Sequence, residues 1–202
     1  MSNSDRLLSS REKGLTFVVS APAGAGKTTL VEKLVAEFET AVLNVSWTTR
    51  PQRVNEVAGI HYCFVSEEQF EEKLQQGHFL EHVTNFGYRY GTDKEYIEAV
   101  KNVGKNIFLI IDTQGAETLM KVCEAVYIFI MPPSLQELKK RLIKRGSETA
   151  QSMQYRLDRA EDEITTASRY DYVIVNDDLE RAYQILRSIY IAETHRVQKE
   201  KA

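Results

Sequence analysis

The fold is decided by SAPAGAGKTTL at residues 20–30, a stretch that joins two runs of different periodicity. Before it lies the mainly apolar run LTFVV at residues 15–19, and after it residues 27–38 place apolar side chains at helical spacing. A continuous apolar run is typical of a strand buried on both faces, and the second pattern predicts an amphipathic helix. The stretch therefore predicts a strand, a glycine-rich loop and a helix, in that order.

The loop between them has the composition of a phosphate-binding loop. Such a loop needs inward-pointing amides, small side chains and a helix amino terminus beneath it. The pattern G-x-x-x-x-G-K-[ST] is present except that Ala21 replaces the first glycine. This alanine is compatible with the loop if residue 21 is extended, because only positive φ would strain it. A chance glycine-rich turn is the alternative, but the flanking strand and helix favour a phosphate site.

The loop predicts a triphosphate site with a metal. The Lys27 ammonium is expected at the β- and γ-phosphates of a nucleoside triphosphate, and the Thr28 hydroxyl at Mg²⁺. Asp112 ends the apolar run 107–111 and is expected to hold the same Mg²⁺. The predicted ATP contacts of the loop are Ala21, Pro22, Ala23, Gly24, Ala25, Gly26, Lys27, Thr28 and Thr29.

Three further apolar runs, at residues 107–111, 126–130 and 172–175, are separated by helical sequence. Strands that alternate with helices predict an α/β fold whose parallel sheet is flanked by helices on both faces, joined by right-handed crossovers. Three helix starts fit the capping-box pattern, at residues 66–69, 92–95 and 134–137.

Residues 44–92 break this alternation with short mixed segments, turn signals and aromatics. They predict a small, mostly antiparallel α+β insertion with one short helix at residues 67–76. A second departure is KKRLIKRG at residues 139–146, a helix end rich in cations. We predict one domain at residues 14–195, after a polar tail at residues 1–13. It divides into a core at 14–43, 93–135 and 157–195, the insertion at 44–92, and a lid at 136–156.

Composition excludes several classes of protein. The chain has 202 residues and a formal charge of -3, which argues against bulk binding to nucleic acid or an anionic membrane. No secretory signal or membrane-spanning apolar run is recognised, so a cytoplasmic location is expected. The two cysteines and four histidines lack metal-ligand spacing.

The reaction class follows from arginines outside the loop. A regulatory GTPase needs an Asn-Lys-x-Asp guanine reader, and residues 175–178, VNDD, do not supply one. Bringing two phosphate-rich ligands together requires several cations to offset their repulsion. The chain therefore favours phosphoryl transfer between two nucleotides. The arginines concerned are Arg50, Arg53, Arg141, Arg145 and Arg156.

A resemblance to a known family rests on six motifs, which follow one another along the chain in this order: SAPAGAGKTT, SWTTRPQRVNEVAGIHY, FLEHVTNFGYRYGT, IDTQG, MPPSLQELKKRLIKRGSET and YDYVIVNDDLERAY. Together they resemble guanylate kinases over about residues 15–192. The resemblance implies a P-loop nucleoside-monophosphate kinase fold, with a GMP-binding insertion and a helical lid. It implies transfer of the γ-phosphoryl group of ATP to GMP, giving ADP and GDP, with Mg²⁺ as cofactor. ATP and GMP would be the partners, and the protein a monomer or weak homo-oligomer.

The resemblance also implies the GMP contacts. Arg50 and Arg53 would grip the phosphate, since the guanidinium fork suits bidentate contacts. Tyr62 and Tyr90 would donate their hydroxyls to it.

For the guanine base, Glu81 would accept from N1–H and the 2-amino group, while Ser46 and Thr92 would hydrogen-bond the ring. Adenine has an acceptor at N1 and no 2-amino group, so it would leave Glu81 buried and unpaired. Sites of this kind discriminate by about 10⁴-fold or more.

On the ATP side, Arg145 and Arg156 would close over the transferring phosphoryl group, with Arg141 nearby. Asn176 would contact adenine. Lys27, Arg50, Arg145 and Arg156 are therefore the predicted catalytic residues.

Three positions depart from the family pattern: Ala21, Trp47 and Ile110, where the family usually has an aspartate. Two alternatives stay open at this point. One is a non-catalytic guanylate-kinase-like module that binds proteins, although such modules typically lose the loop lysine or glycines. The other is a P-loop kinase for another phosphorylated acceptor.

Overall fold

A computed structural model of the protein describes residues 12–85, 87–145 and 150–197, with backbone alone at residues 145, 150 and 151. In that part of the chain the strands are β1 (Thr16–Ser20), β2 (Ala41–Leu43), β3 (Ser46–Thr48), β4 (Tyr62–Phe64), β5 (Phe79–Asn85), β6 (Tyr88–Asp93), β7 (Asn106–Ile110), β8 (Val126–Met131) and β9 (Tyr172–Val175). The helices are α1 (Lys27–Glu37), α2 (Glu67–Gln75), α3 (Lys94–Asn102), α4 (Thr113–Leu119), α5 (Leu135–Arg145), α6 (Ala150–Thr165) and α7 (Leu179–His195). A 3-10 turn at Thr166–Arg169 follows α6. None of the described helices is long and apolar enough to cross a membrane.

The core is a five-stranded, wholly parallel sheet with the order β2-β7-β1-β8-β9. Every residue of β1 is buried, as the continuous apolar run predicted. One face packs against α1 and α7, where Phe17 stacks on Phe108 at 4.7 Å between ring centroids. The other face packs against α3 and α4 through Val18 and Leu109. The predicted α/β fold with a parallel, helix-flanked sheet is confirmed.

The position of β1 places the loop at the functional edge of this sheet. β1 lies between β7 and β8, and its carboxyl end runs into the loop. Ligands of open α/β sheets bind at the carboxyl ends of the strands, where neighbouring connections leave a crevice. Asp112 follows β7 at the same edge, next to the loop, and the Ser20 hydroxyl donates to its backbone carbonyl at 3.5 Å.

The insertion forms a second sheet with the order β4-β3-β6-β5. It is mostly antiparallel as predicted, with one parallel pair, β3 and β4. Helix α2 covers one face through Phe70, which stacks on Phe79 at 4.5 Å. Trp47 lies on this face too, at 6.3 Å from Phe79, so it points away from the side that Ser46 occupies. The other face is left for a ligand.

Two helix caps agree with the capping-box prediction and one does not. Ser66 forms the complete box, and the Ser134 hydroxyl accepts from the Glu137 amide. The box predicted to start at Thr92 is wrong, because α3 is capped by Asp93, whose carboxylate accepts from two amides of the first turn. Thr92 is instead the fifth residue of β6, where its hydroxyl donates to Glu81. Tertiary pairing with a buried carboxylate outweighs the local cap.

Candidate active site

The loop after β1 has the backbone of a phosphate cradle. Gly24 and Gly26 have φ of 89° and 97°, which only glycine adopts readily. Helix α1 begins at Lys27 without a side-chain cap, so its first amides face the loop. The Lys27 ammonium donates to the carbonyl of Ala21 at 3.2 Å. Ala21 itself is 2% exposed and its methyl group packs in the apolar core, which explains why alanine is accepted there.

Asn176, beyond β9, holds the loop from behind. Its side-chain amide donates to the carbonyl of Ala25 at 2.8 Å, and it is 4% exposed. The backbone carbonyl of Asn176 accepts a hydrogen bond from the Arg141 guanidinium at 2.9 Å, and this bond fixes the arginine at the mouth of the loop. The predicted contact between Asn176 and adenine stays a prediction, but its amide nitrogen is already engaged by the loop.

A cleft of about 850 Å³ opens between the loop, the free face of the insertion sheet and helix α6. It brings together most of the residues predicted from sequence: Ala21, Pro22, Ala23, Gly24, Gly26, Lys27, Thr28, Thr29, Ser46, Arg50, Arg53, Tyr62, Glu81, Tyr90, Asp112, Arg141 and Arg156.

Three predicted residues do not line this cleft. Ala25 is fully buried under the loop, Thr92 is buried beneath Glu81, and Asn176 lies behind the loop. All three residues lie within or behind the wall of the cleft, and none of them faces its open space. Arg145 ends α5, and its side chain lies outside the described residues.

Arg50 is held in place before any ligand arrives. It is 8% exposed and donates to Glu56 at 2.7 Å and to the carbonyl of Pro51 at 2.7 Å. The second oxygen of Glu56 accepts from the backbone amide of Arg53 at 2.9 Å. Burial alone would raise the pKa of Glu56, but the bonds from Arg50 and from Arg53 outweigh it, so its pKa is lowered. One carboxylate thus orders the loop that carries both arginines.

Glu81 is an unusual carboxylate. It is 5% exposed, and one oxygen accepts from the Thr92 hydroxyl at 2.5 Å. Its other oxygen, Oε2, is buried and has no hydrogen-bond partner among the described residues. Burial, and to a smaller degree the charge of Asp112, raises the pKa of Glu81 to about 7, against the effect of Thr92. A buried oxygen without a partner at a cleft wall is suited to accept from a ligand.

The cleft also contains residues that the sequence reasoning missed, chiefly Asn85, Arg159 and Glu163. Arg159 donates to Asn85 at 2.9 Å, and Asn85 donates to Asp112 at 3.0 Å. Arg159 and Glu163 lie three and seven residues after Arg156, which puts all three on one face of α6. That helical spacing was a signal in the sequence, whereas nothing local marked Asn85.

The donor set fits a Mg²⁺ ion that is held largely by nucleotide phosphates. Thr28 and Asp112 both line the cleft, and the described residues contain no cluster of three or more metal-ligating side chains. Mg²⁺ in kinases commonly takes one or two protein ligands and completes its shell with phosphate oxygens and water. The site therefore accommodates a nucleotide-borne metal.

The fold and cleft are those of a P-loop kinase of the nucleoside-monophosphate type: a phosphate cradle faces an arginine-bearing insertion across one cleft. The family model for guanylate kinase matches residues 13–193. The chain belongs to the guanylate kinase family.

Similar proteins agree with this assignment. The guanylate kinase of Protochlamydia amoebophila is 52% identical over 188 residues, covering 93% of this chain and 95% of that protein. The guanylate kinase of Clostridium perfringens strain SM101 is 43% identical, covering 94% and 88%. The crystal structure of guanylate kinase from Anaplasma phagocytophilum matches with a TM-score of 0.75 at 34% identity, covering 95% of this chain and 90% of that one.

Proposed function

We propose that the protein transfers the γ-phosphoryl group of ATP to GMP, giving ADP and GDP. The observation that carries this proposal is Glu81 Oε2, a buried carboxylate oxygen without a described partner in the wall of a cleft that also holds the phosphate loop. Guanine offers two adjacent donors, N1–H and the 2-amino group, to such a carboxylate. Adenine would leave the oxygen unpaired and desolvated, which costs about 1–3 kcal/mol or more.

The phosphate of GMP is expected beside Arg50 and Arg53. The guanidinium carbon of Arg50 lies 5.3 Å from the centroid of the Tyr62 ring. The rings of Tyr62 and Tyr90 meet edge to face, with 6.1 Å between their centroids. Burial raises the pKa of Tyr62, so its hydroxyl stays protonated at neutral pH and can donate to phosphate. We assign Ser46 and Thr92 to the base side, Thr92 acting on the ring or through Glu81.

ATP is expected on the loop amides, with Lys27 at the β- and γ-phosphates. We assign Thr28 and Asp112 to the metal, which would offset the negative charge of the phosphates. Arg141 and Arg156 line the same cleft and would contact the transferring group, and Arg145 is proposed for the same role. Lys27, Arg50, Arg145 and Arg156 remain the proposed catalytic residues.

No side-chain nucleophile is required, because the acceptor is already an anionic phosphate oxygen. Catalysis then consists of aligning two phosphates and offsetting their repulsion. Residues 136–156 would act as the lid over the phosphates, and residues 44–92 as the GMP-binding insertion. Exclusion of water by closure protects ATP from hydrolysis.

The two alternatives that the sequence left open are not supported by the family match. A protein-binding module without activity does not need the cradle, and here Gly24, Gly26 and Lys27 are all retained in it. A kinase for another phosphorylated acceptor is the second alternative. Ile110 lines the cleft where a carboxylate would give a further base contact, so base selectivity is the property to measure.

The test compares acceptors with ATP and Mg²⁺ present: GMP, dGMP, IMP, AMP and UMP. We expect kcat/KM for GMP to exceed that for AMP by about 10⁴-fold, and IMP, which lacks the 2-amino group, to fall between them. Equal turnover of AMP or UMP and GMP would rule out the role of Glu81.

A matched pair of variants tests the loop. Lys27→Ala should abolish transfer while the thermal midpoint stays close to that of the unmodified protein. Lys33→Ala is the control, since Lys33 lies on the same helix but pairs with Glu180 on the surface. Retained transfer in Lys27→Ala would overturn the proposal.

A further inference from the structure

A chain of hydrogen bonds crosses the cleft and joins three parts of the molecule. Arg159 on α6 donates from Nη1 to Asn85 Oδ1 at 2.9 Å. Asn85, the last residue of β5, donates from Nδ2 to Asp112 Oδ2 at 3.0 Å. The other oxygen of Asp112 accepts from the amide of Gly115 at 2.9 Å and caps α4. Helix α6, strand β5 of the insertion and the edge of the core sheet are thus tied through one amide side chain.

The chemistry of each group fixes the direction of these bonds. A guanidinium only donates and a carboxylate only accepts, so the residue between them needs one acceptor and one donor at the end of a short side chain. Asparagine is suited to this position. Neither aspartate nor leucine can make both bonds, because the first has no donor when ionised and the second is apolar.

Arg159 is held on its own helix as well. Its Nη2 lies 3.4 Å from Glu163 Oε1, and the two side chains are 22% and 13% exposed. Burial raises the pKa of Glu163, although the charges of Arg159, Lys27 and Arg156 work against it. An arginine fixed by a half-buried carboxylate loses little further conformational entropy when it engages Asn85.

The bridge connects the elements that carry the two nucleotide sites. Glu81 lies four residues before Asn85 on β5, and both side chains line the cleft. Arg156 lies one turn before Arg159 on α6. Asn85 therefore contacts both the helix that carries Arg156 and the Asp112 carboxylate beside the loop.

We propose that Asn85 and Arg159 are positioning residues that couple the GMP and ATP sites, so that filling one site favours the conformation that binds the other. This inference rests on the proposed function. Two sites are coupled when each ligand changes the affinity for the other by the same factor, typically about 5- to 150-fold. Neither residue needs to touch a nucleotide for this role.

The test measures the dissociation constant of GMP by calorimetry, with and without a saturating non-hydrolysable ATP analogue and Mg²⁺. The ratio of the two constants is the coupling. We expect it to be at least about fivefold in the unmodified protein. It should fall at least threefold in Asn85→Leu and in Arg159→Met, neither of which keeps the donor that the bridge needs, while GMP affinity alone changes less. The double variant should resemble either single one, because one bridge is broken in all three.

Two further variants separate positioning from stability and from direct binding. Arg169→Ala removes an arginine–carboxylate pair with Glu117, 2.7 Å long, outside the cleft lining, and should leave the ratio unchanged. Arg159→Lys keeps a donor for Asn85 and should restore part of the coupling. If Arg159→Met weakened binding of the ATP analogue alone by tenfold while Asn85→Leu had no effect, Arg159 would be a phosphate ligand and the bridge model would be wrong.

The outcomes also separate this inference from the function on which it rests. The bridge model alone is wrong if the unmodified protein turns over GMP but shows no coupling. It is also wrong if the coupling ratio in both variants stays within twofold of the unmodified value. A protein that does not turn over GMP overturns both.

Discussion

The side-chain amide of Asn176 donates to the backbone carbonyl of Ala25 at 2.8 Å, across 151 residues of sequence. The same nitrogen would lie 2.4 Å from a Cβ placed at Gly26. The loop is therefore confined from within by its positive φ and from behind by Asn176. These constraints act on Ala25 and Gly26, the two residues before Lys27, so they place the lysine at the mouth of the cradle.

Gly26→Ala should destabilise the protein for two separable reasons. The positive φ costs about 1–2 kcal/mol for a non-glycine residue, and the clash with Asn176 adds about 1–3 kcal/mol. In an Asn176→Ala background only the cost of the positive φ remains. The losses in free energy of unfolding caused by Gly26→Ala and by Asn176→Ala, measured in urea, should therefore not add up in the double variant. Additive losses would show that the clash is relieved elsewhere.

Glu81 should make stability fall as the pH rises towards neutrality. Its pKa is about 7 in the folded protein and near 4.5 when exposed. Between these values the unfolded chain is ionised and the folded one is protonated, so the free energy of unfolding decreases with pH and levels off above 7. Glu81→Gln removes this cost, and its stability advantage should grow by up to about 3 kcal/mol between pH 4 and pH 8.

The measurement is urea unfolding of both proteins across that pH range. Glu72→Gln, which changes an exposed glutamate of α2, is the matched control for the substitution itself. A constant difference between Glu81→Gln and the unmodified protein would mean that folding does not raise the pKa of Glu81.

Glu56→Ala should weaken GMP binding by about tenfold, since Arg50 and Arg53 lose the carboxylate that orders their loop. It should also lower the free energy of unfolding by about 1–3 kcal/mol, because the Arg50 cation is buried. Calorimetry and urea unfolding measure the two effects. Tighter GMP binding in the variant would instead show that Glu56 competes with the phosphate for Arg50.

The control for that variant is Glu71→Ala. It removes the pair with Arg89, in which Glu71 is 47% exposed. An exposed pair of this kind contributes about 1 kcal/mol or less, and GMP binding should not change.

Gly91→Ala should destabilise the insertion by overpacking the face that helix α2 covers. A Cβ at this position would lie 2.8 Å from Phe79 Cδ1 and 3.0 Å from Phe70 Cζ. Overpacking of this kind costs about 1–3 kcal/mol. Phe79→Leu in the same chain should recover at least half of the loss in urea unfolding; no recovery would place the strain in the backbone of β6.

Structural features were predicted correctly from the sequence where a single segment of the chain contains the whole feature. The cradle is a contiguous stretch, and four of the five core strands are recognised by their own apolar runs, whereas β2 was not predicted. The failures have partners far away in sequence. Thr92 fits a capping box locally, but its hydroxyl serves Glu81. Asn85 carries no local pattern, because its role depends on Arg159, 74 residues later, and on Asp112, 27 residues later.

The sequence by itself determined the phosphate loop, the parallel core and the family, since local backbone preferences and apolar periodicity are properties of short segments. Only the tertiary structure decided the state of each polar group in the cleft. Burial leaves Glu81 Oε2 without a described partner, directs the Asn176 amide to the loop carbonyl, and sets Asn85 between a cation and a carboxylate. These properties depend on desolvation and on distances between segments, which arise only when the chain is folded.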